Sequence, residues 1–224
     1  MGARRTMTPA LRLSFLSLAL LARALGAQSA AAQSDSGWRV LSDAPAATPA
    51  AMEFAPMAPG WHATARSASL ACNPAVTWAA TDSLESVVYL FSSEPGTGAG
   101  LLIGGQALGT AAARYVAFIV GPDGRYRITR RRADTTTDLV PWRASAAIPR
   151  HPGGQGNVRI VLAVHADSAN VIFAVNDTVV ATLPRIAADP VGAVGFRAER
   201  GTSAHIATLV IGGRNVAPVP PGAS

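Results

Sequence analysis

Lysine is absent from this chain, cysteine occurs once, and aromatic side chains make up only 6% of its residues. Each shortage excludes something. The single cysteine, Cys72, cannot close an internal disulfide, so stability must come from a packed core. Nothing nearby in sequence suggests a paired base, and Cys72 is expected to be a small buried hydrophobe rather than a nucleophile. Few aromatics leave few platforms for a sugar ring, chiefly Trp61, Trp78 and Trp142. His62, His151, His165 and His205 are scattered, with no H-x-H or H-E-x-x-H spacing to hold a metal. There is no G-x-S-x-G elbow for a serine nucleophile. The glycine-rich stretches 104–109 and 153–156 lack the helix and lysine of a phosphate loop. No catalytic residue, metal site or cofactor is assigned on these grounds. No amphipathic helix of useful length appears either.

The positive charge is all arginine, 19 residues against 13 acids. Residues 1–32 hold four of those arginines and no acid. Arg4, Arg5 and Arg12 precede or open the apolar stretch Leu13–Leu21, and small residues follow, with cleavage expected after Ala27 or Ala32. This is the layout of a secretory signal peptide. The apolar stretch is short for a membrane span and Arg23 interrupts it, so stable membrane insertion is not expected. Removing the leader leaves 15 arginines against 13 acids, a net charge of +2. That balance is no footprint for nucleic acid. The expected location is secreted or periplasmic.

What the chain does have is period two. Val158, Ile160, Leu162 and Val164 alternate with Asn157, Arg159 and His165, which buries one face of a strand and wets the other. Val171–Val175 and Thr178–Leu183 flank Asn176-Asp177, two residues that tolerate the positive φ of a tight hairpin. Arg114–Val120 and Arg125–Arg130 flank Gly121–Gly124, where Pro122 presets a turn and Gly124 suits the left-handed position. Leu84–Phe91 sets Leu84, Ser86, Val88 and Leu90 against Glu85, Val87, Tyr89 and Phe91. Further strands are expected at Trp38–Leu41, Gly60–Ala65, Leu101–Ile103, Val191–Ala198 and Ala204–Ile211. Ala68–Ala71 and Val76–Ala79 read as two short strands broken by Asn73-Pro74. Arg132–Asp138 and the Pro141-Trp142 stretch read as loop. Many short strands with turn signals predict an all-β fold, a two-sheet antiparallel β-sandwich of jelly-roll type. The expected organisation is a signal peptide over 1–32, an edge segment and linker over 33–51, the sandwich over 52–213 and a loose tail over 214–224.

Several segments resemble the concanavalin A-like lectin/glucanase superfamily. Ala99–Gly104 is similar to its "G-hydrophobic-hydrophobic-G" strand. Tyr115–Phe118, Gly124–Ile128, Asn157–Ile160, Phe173–Asn176 and Val191–Arg197 follow in the order and spacing typical of such domains. The resemblance covers about residues 52–212 and is nearest to exported bacterial domains of the 3-keto-disaccharide hydrolase-like group. It implies a concanavalin A-like jelly roll and a carbohydrate-related role. The E-x-D-x-x-E strand of the superfamily's glucanases is missing, and Gly98–Gly100 stands where the hydrolase-like group often shows N-S-G. No catalytic residue is carried over.

Glycoside cleavage needs two carboxylates about 5–10 Å apart. Asp82 with Glu85, or Asp134 with Asp138, are the pairs on offer, and both read better as turn and loop residues. Arg125, Arg127 and Arg131 alternate onto one strand face, flanked by Arg130 and Arg132. Arginine forks match carboxylates and sulfates, so an acidic glycan could dock there. The competing reading is a solvated face guarded against aggregation by charge. Trp142 is the tryptophan expected to be exposed, with Trp61 and Trp78 in the core. The ligand-binding candidates are therefore Trp142, Arg125, Arg127 and Tyr115. Three functions stand: a non-catalytic module binding a carbohydrate or cell-envelope component, a hydrolase of the 3-keto-disaccharide type, or a structural module with no small ligand.

Overall fold

The computed structural model describes residues 37–43, 50–79, 83–91, 93, 96–153 and 156–217. The predicted signal peptide and most of the predicted linker lie outside them. In chain order the strands begin with β1 (Arg39–Ser42), β2 (Met52–Pro56), β3 (Trp61–Ala65), β4 (Ser69–Trp78) and β5 (Ser83–Phe91). Then come β6 (Ala99–Gln106), β7 (Arg114–Val120), β8 (Arg125–Arg132), β9 (Thr135–Ala144) and β10 (Asn157–Ala166). The last are β11 (Asn170–Val175), β12 (Thr178–Pro184), β13 (Gly192–Ala198), β14 (Thr202–Ile206), β15 (Val210–Ile211) and β16 (Arg214–Asn215). One seven-stranded sheet has the order β1-β4-β13-β6-β7-β8-β9. A nine-stranded sheet has the order β12-β11-β10-β5-β14-β3-β2, with β15 joining β5 to β16. Every pairing is antiparallel.

The period-two pattern is what packs the sheets together. Leu84, Val88 and Leu90 of β5 and Ile160, Leu162 and Val164 of β10 face Leu101, Ile103, Val116 and Phe118 of the other sheet in one buried cluster. Trp61 and Trp78 are in this core, as predicted. Asn176 and Asp177 take φ of 47° and 63° at their hairpin, and Gly124 takes 80° at the other. Gly100 answers a different need. A Cβ there would lie 1.9 Å from the Phe118 carbonyl oxygen, so the close approach of β6 to β7 requires glycine.

Four expectations need correcting. First, β4 runs unbroken through Asn73-Pro74. Its ladder to β13 jumps from Cys72 to Thr77, so the proline bulges out of the hydrogen bonding without ending the strand. Second, only Ala133-Asp134 of Arg132–Asp138 is a turn; Arg132 ends β8, and Thr135–Asp138 and Pro141-Trp142 belong to the edge strand β9, where an exposed polar strand tolerates proline. Third, Ala204–Ile211 is two strands, because Thr208 leaves the ladder. Its carbonyl accepts from Ser86 Oγ at 2.7 Å, and its Oγ1 accepts from the Val87 amide at 3.1 Å. Fourth, the sandwich exceeds 52–213. Trp38 is buried with Phe54, Trp61 and Phe196, β1 pairs with β4, and β16 pairs with β15.

Candidate functional site

Each sheet turns one face to the core and one outward. The outer face of the seven-stranded sheet carries the residues singled out by sequence. The odd positions of β8 point there, as do Tyr115, Ala117 and Ile119 of β7, which pack with Leu70, Leu102 and Trp142. Arg125, Arg127, Tyr115 and Trp142 thus do share a face, although the first three are already engaged.

Arg125 donates from Nε to Asp123 Oδ2 at 2.7 Å, and its guanidinium carbon lies 5.6 Å from the Trp142 ring centroid. Trp142 is half-buried in β9 with that cation over its ring. Arg127 bonds Asp138 at 2.7 Å and reaches Glu199 at 3.6 Å. Tyr115 is only 3% exposed and its hydroxyl donates to Asp43. A ring so covered offers no platform to a ligand.

Asp43 is the centre of this face. It takes Arg197 Nε at 2.8 Å on one oxygen, and on the other the Tyr115 hydroxyl, with Arg131 Nη1 at 3.5 Å. Arg131 also donates to the Asp43 carbonyl at 2.5 Å, and Arg197 continues to Glu199 at 3.1 Å. Burial pushes the Tyr115 phenol up, with Arg197 opposing and Asp43 adding to the rise. Burial works against the charge of Arg197, but Asp43, Tyr115 and Glu199 more than reverse it and hold the guanidinium above its usual range. Arginine and acid neutralise one another here. An apolar groove of about 390 Å³ beside Leu41, Cys72, Pro74 and Leu108 completes this face, with no aromatic ring in its lining. Burial raises the Cys72 thiol to about 11, which leaves it protonated and inert.

The outer face of the nine-stranded sheet is built differently. Cross-strand pairing sets His62 of β3 beside His205 of β14, His205 beside Tyr89 of β5, and Tyr89 beside Arg159 of β10. One row therefore crosses four strands. Phe91 and Asn157 pair next to it. The rings of Tyr89 and His205 are 5.9 Å apart, and those of His62 and Phe91 meet edge to face at 5.5 Å. Ser203 Oγ lies 3.2 Å from His62 Nε2. The Nδ1 atoms of His62 and His205 are buried and face the protein, not the solvent. Burial lowers the His205 pKa, the neighbouring His62 lowers it further, and a hydrogen bond to the Pro59 backbone opposes both.

The segment Met57–Pro59 walls this row into a groove of about 340 Å³, floored by Tyr89, Phe91 and His205. Gly60 holds the wall in place. It has φ of +90°, and a Cβ there would sit 1.9 Å from the Ile206 carbonyl oxygen. Half-exposed rings form a surface that can stack on the C–H face of a sugar, and the exposed Asn157 amide in the lining can bond its hydroxyls. Sequence reasoning placed Tyr89 and Phe91 on one strand face and His205 on the polar side of another. It missed the site because strand order across the sheet, which aligns them, is not local. Among the described residues no three His, Cys, Asp or Glu side chains gather as a metal site would require.

No family model matches this chain, and no curated protein matches it. Solved structures do. The carbohydrate-binding module CBM66 from Bacillus subtilis superposes with a TM-score of 0.55 at 13% identity, covering 79% of this chain and 95% of that one. A Bacillus subtilis protein of unknown function with a galectin-like fold gives 0.54 at 12% identity over 78% of this chain and 88% of that one. The GH16 protein of the Bacteroides ovatus mixed linkage glucan PUL, in complex with a G4G4G3G product, gives 0.57 at 9% identity over 80% and 95%. The fold is the concanavalin A-like jelly roll. At such identities the likeness speaks for the fold alone.

Proposed function

We propose that this protein is an exported, non-catalytic glycan-binding module whose ligand lies along the groove on the nine-stranded sheet. The observation that carries the reading is the groove floored by His205, Tyr89 and Phe91, in which half-exposed rings and the exposed Asn157 amide share one open surface. Similarity to solved proteins named as a carbohydrate-binding module, a galectin-like fold and a glycoside hydrolase supports the ligand class. The export leader read from residues 1–32 puts the module where free and envelope-bound glycans occur.

The non-catalytic part rests on the acids. The groove's described lining has no carboxylate, and Asp43 and Glu199 are tied to arginines on the opposite sheet. A hydrolase of the 3-keto-disaccharide type would need an acid in reach of the sugar.

The test is a glycan panel titrated against the protein by calorimetry, followed by Tyr89→Ala and Trp142→Ala. Tyr89→Ala should weaken binding about tenfold or more, equivalent to about 1.4 kcal/mol, and Trp142→Ala should leave it unchanged. The reverse pattern moves the site to Trp142 and Arg125. Silence across soluble and insoluble glycans defeats the reading, and product release from any of them defeats its non-catalytic half.

A further inference from the structure

The arginines of β8 divide by parity. The odd ones, Arg125, Arg127 and Arg131, each have an acidic partner on the outer face. The even ones do not. Arg130 pairs opposite Val116, a core residue, and so points to the inner side of the sheet. Two residues further on, Arg132 stands directly opposite Arg114, on that same side but past the end of the core. Both are exposed, and among the described residues none of Arg114, Arg130 and Arg132 makes an ion pair.

Like charges directly opposite on antiparallel strands repel. Here they line a small pocket at the rim of the sandwich with Gln106, Ala187 and Asp189. Arg130 is held in place by its Nη1 bond to the Ala187 carbonyl at 3.2 Å. Asp189, the pocket's one acid among the described residues, uses Oδ1 to accept from the Val191 amide at 3.2 Å. Arg131 also lines the pocket but is paired with Asp43, so three unpaired guanidiniums against one carboxylate leave the pocket cationic. Its volume is about 80 Å³. That is under a quarter of the roughly 340 Å³ groove on the nine-stranded sheet, so the space suits a small oxyanion rather than a sugar ring.

We infer that this rim pocket is an oxyanion site, taking a sulfate or phosphate group that is either free or carried on a polymer. The planar forks of Arg114 and Arg132 would bind such a group from two sides, and its charge would relieve their repulsion. The site lies away from the groove on the nine-stranded sheet and stands or falls without it.

Thermal unfolding tests the assignment at fixed ionic strength, with inorganic sulfate or phosphate replacing chloride. Ligand binding raises Tm with the logarithm of anion concentration once the site fills, whereas general exclusion of sulfate from protein surfaces raises it in proportion to concentration. Arg132→Gln should be at least as stable as the parent in chloride, because it removes the repulsion, and should lose saturable binding by about tenfold or more. The Arg Nε–Hε signals of the unmodified protein provide a second readout, since sulfate should shift those of Arg114 and Arg132. A sulfated oligosaccharide, titrated alongside its unsulfated counterpart, separates the sources. Response to inorganic anion supports a self-sufficient site, and response only to the sulfated chain supports an oxyanion delivered by a polymer. A sulfate effect linear in concentration and equal in Arg132→Gln, with no selective binding of the sulfated chain, overturns the inference.

Discussion

The two outward faces of this sandwich use polar residues for opposite ends. On the seven-stranded sheet Arg131, Arg197, Tyr115, Asp43 and Glu199 satisfy one another, and the result is a neutral, largely buried network. On the nine-stranded sheet His62, His205, Tyr89 and Phe91 stand together half-exposed, with the exposed Asn157 amide beside them. The first face is a stability device built from residues that look like binding residues. The second keeps aromatic rings and an amide open to solvent, which is what recognition needs. Residue type alone does not separate the two, whereas ion pairing and exposure do.

The sharpest way to break the contrast is Asp43→Ala. It strands two buried guanidiniums and a phenol, and should cost about 3–5 kcal/mol in denaturant unfolding with glycan affinity retained. A loss below about 1 kcal/mol would show that the network is not structural. Tyr115→Phe removes only the hydroxyl bonded to the Asp43 carboxylate. It should cost about 1.5–3 kcal/mol and leave binding untouched, which a calorimetric titration beside the unfolding curve would check. Tyr89→Ala, by contrast, should trade a tenfold affinity loss for about 1 kcal/mol or less of stability, as befits a surface position. Asp138→Ala breaks the exposed end of the arginine chain and should cost less than about 1 kcal/mol. Added salt should shrink that cost further.

The smallest effect is in pH. The folded-state pKa of His205 lies below its ordinary 6.5, so the unfolded chain takes up its proton first. The stability this histidine contributes as a neutral ring is present above about 6.5 and drains away as pH falls through its folded value. His205→Gln should flatten that part of a pH–stability curve. An unchanged curve would mean that the ring is solvated in the groove.

Much of the architecture was legible because it is written at short range. Alternation in Asn157–Val164 and the Asn176-Asp177 turn need only neighbouring residues, and both stand as read. Thr135–Ala144 was not legible, because an edge strand with one exposed face and a proline carries the composition of a loop. Asn73-Pro74 misled for a related reason. Proline cannot donate to a ladder, but a bulge removes that demand. The site was half legible. β8 parity put three arginines on one face, yet Asp43, the partner of Arg131, lies 88 residues before it and was assigned to a linker.

The chain alone determined the two-sheet fold, since alternating burial and tight turns are properties of adjacent residues. It also determined which side chains share a strand face. Tertiary structure decided which of those faces have their charges cancelled and which do not. That outcome depends on lateral strand order and on partners such as Asp43 and Arg197, 154 residues apart, and electrostatic satisfaction is a property of distance in space.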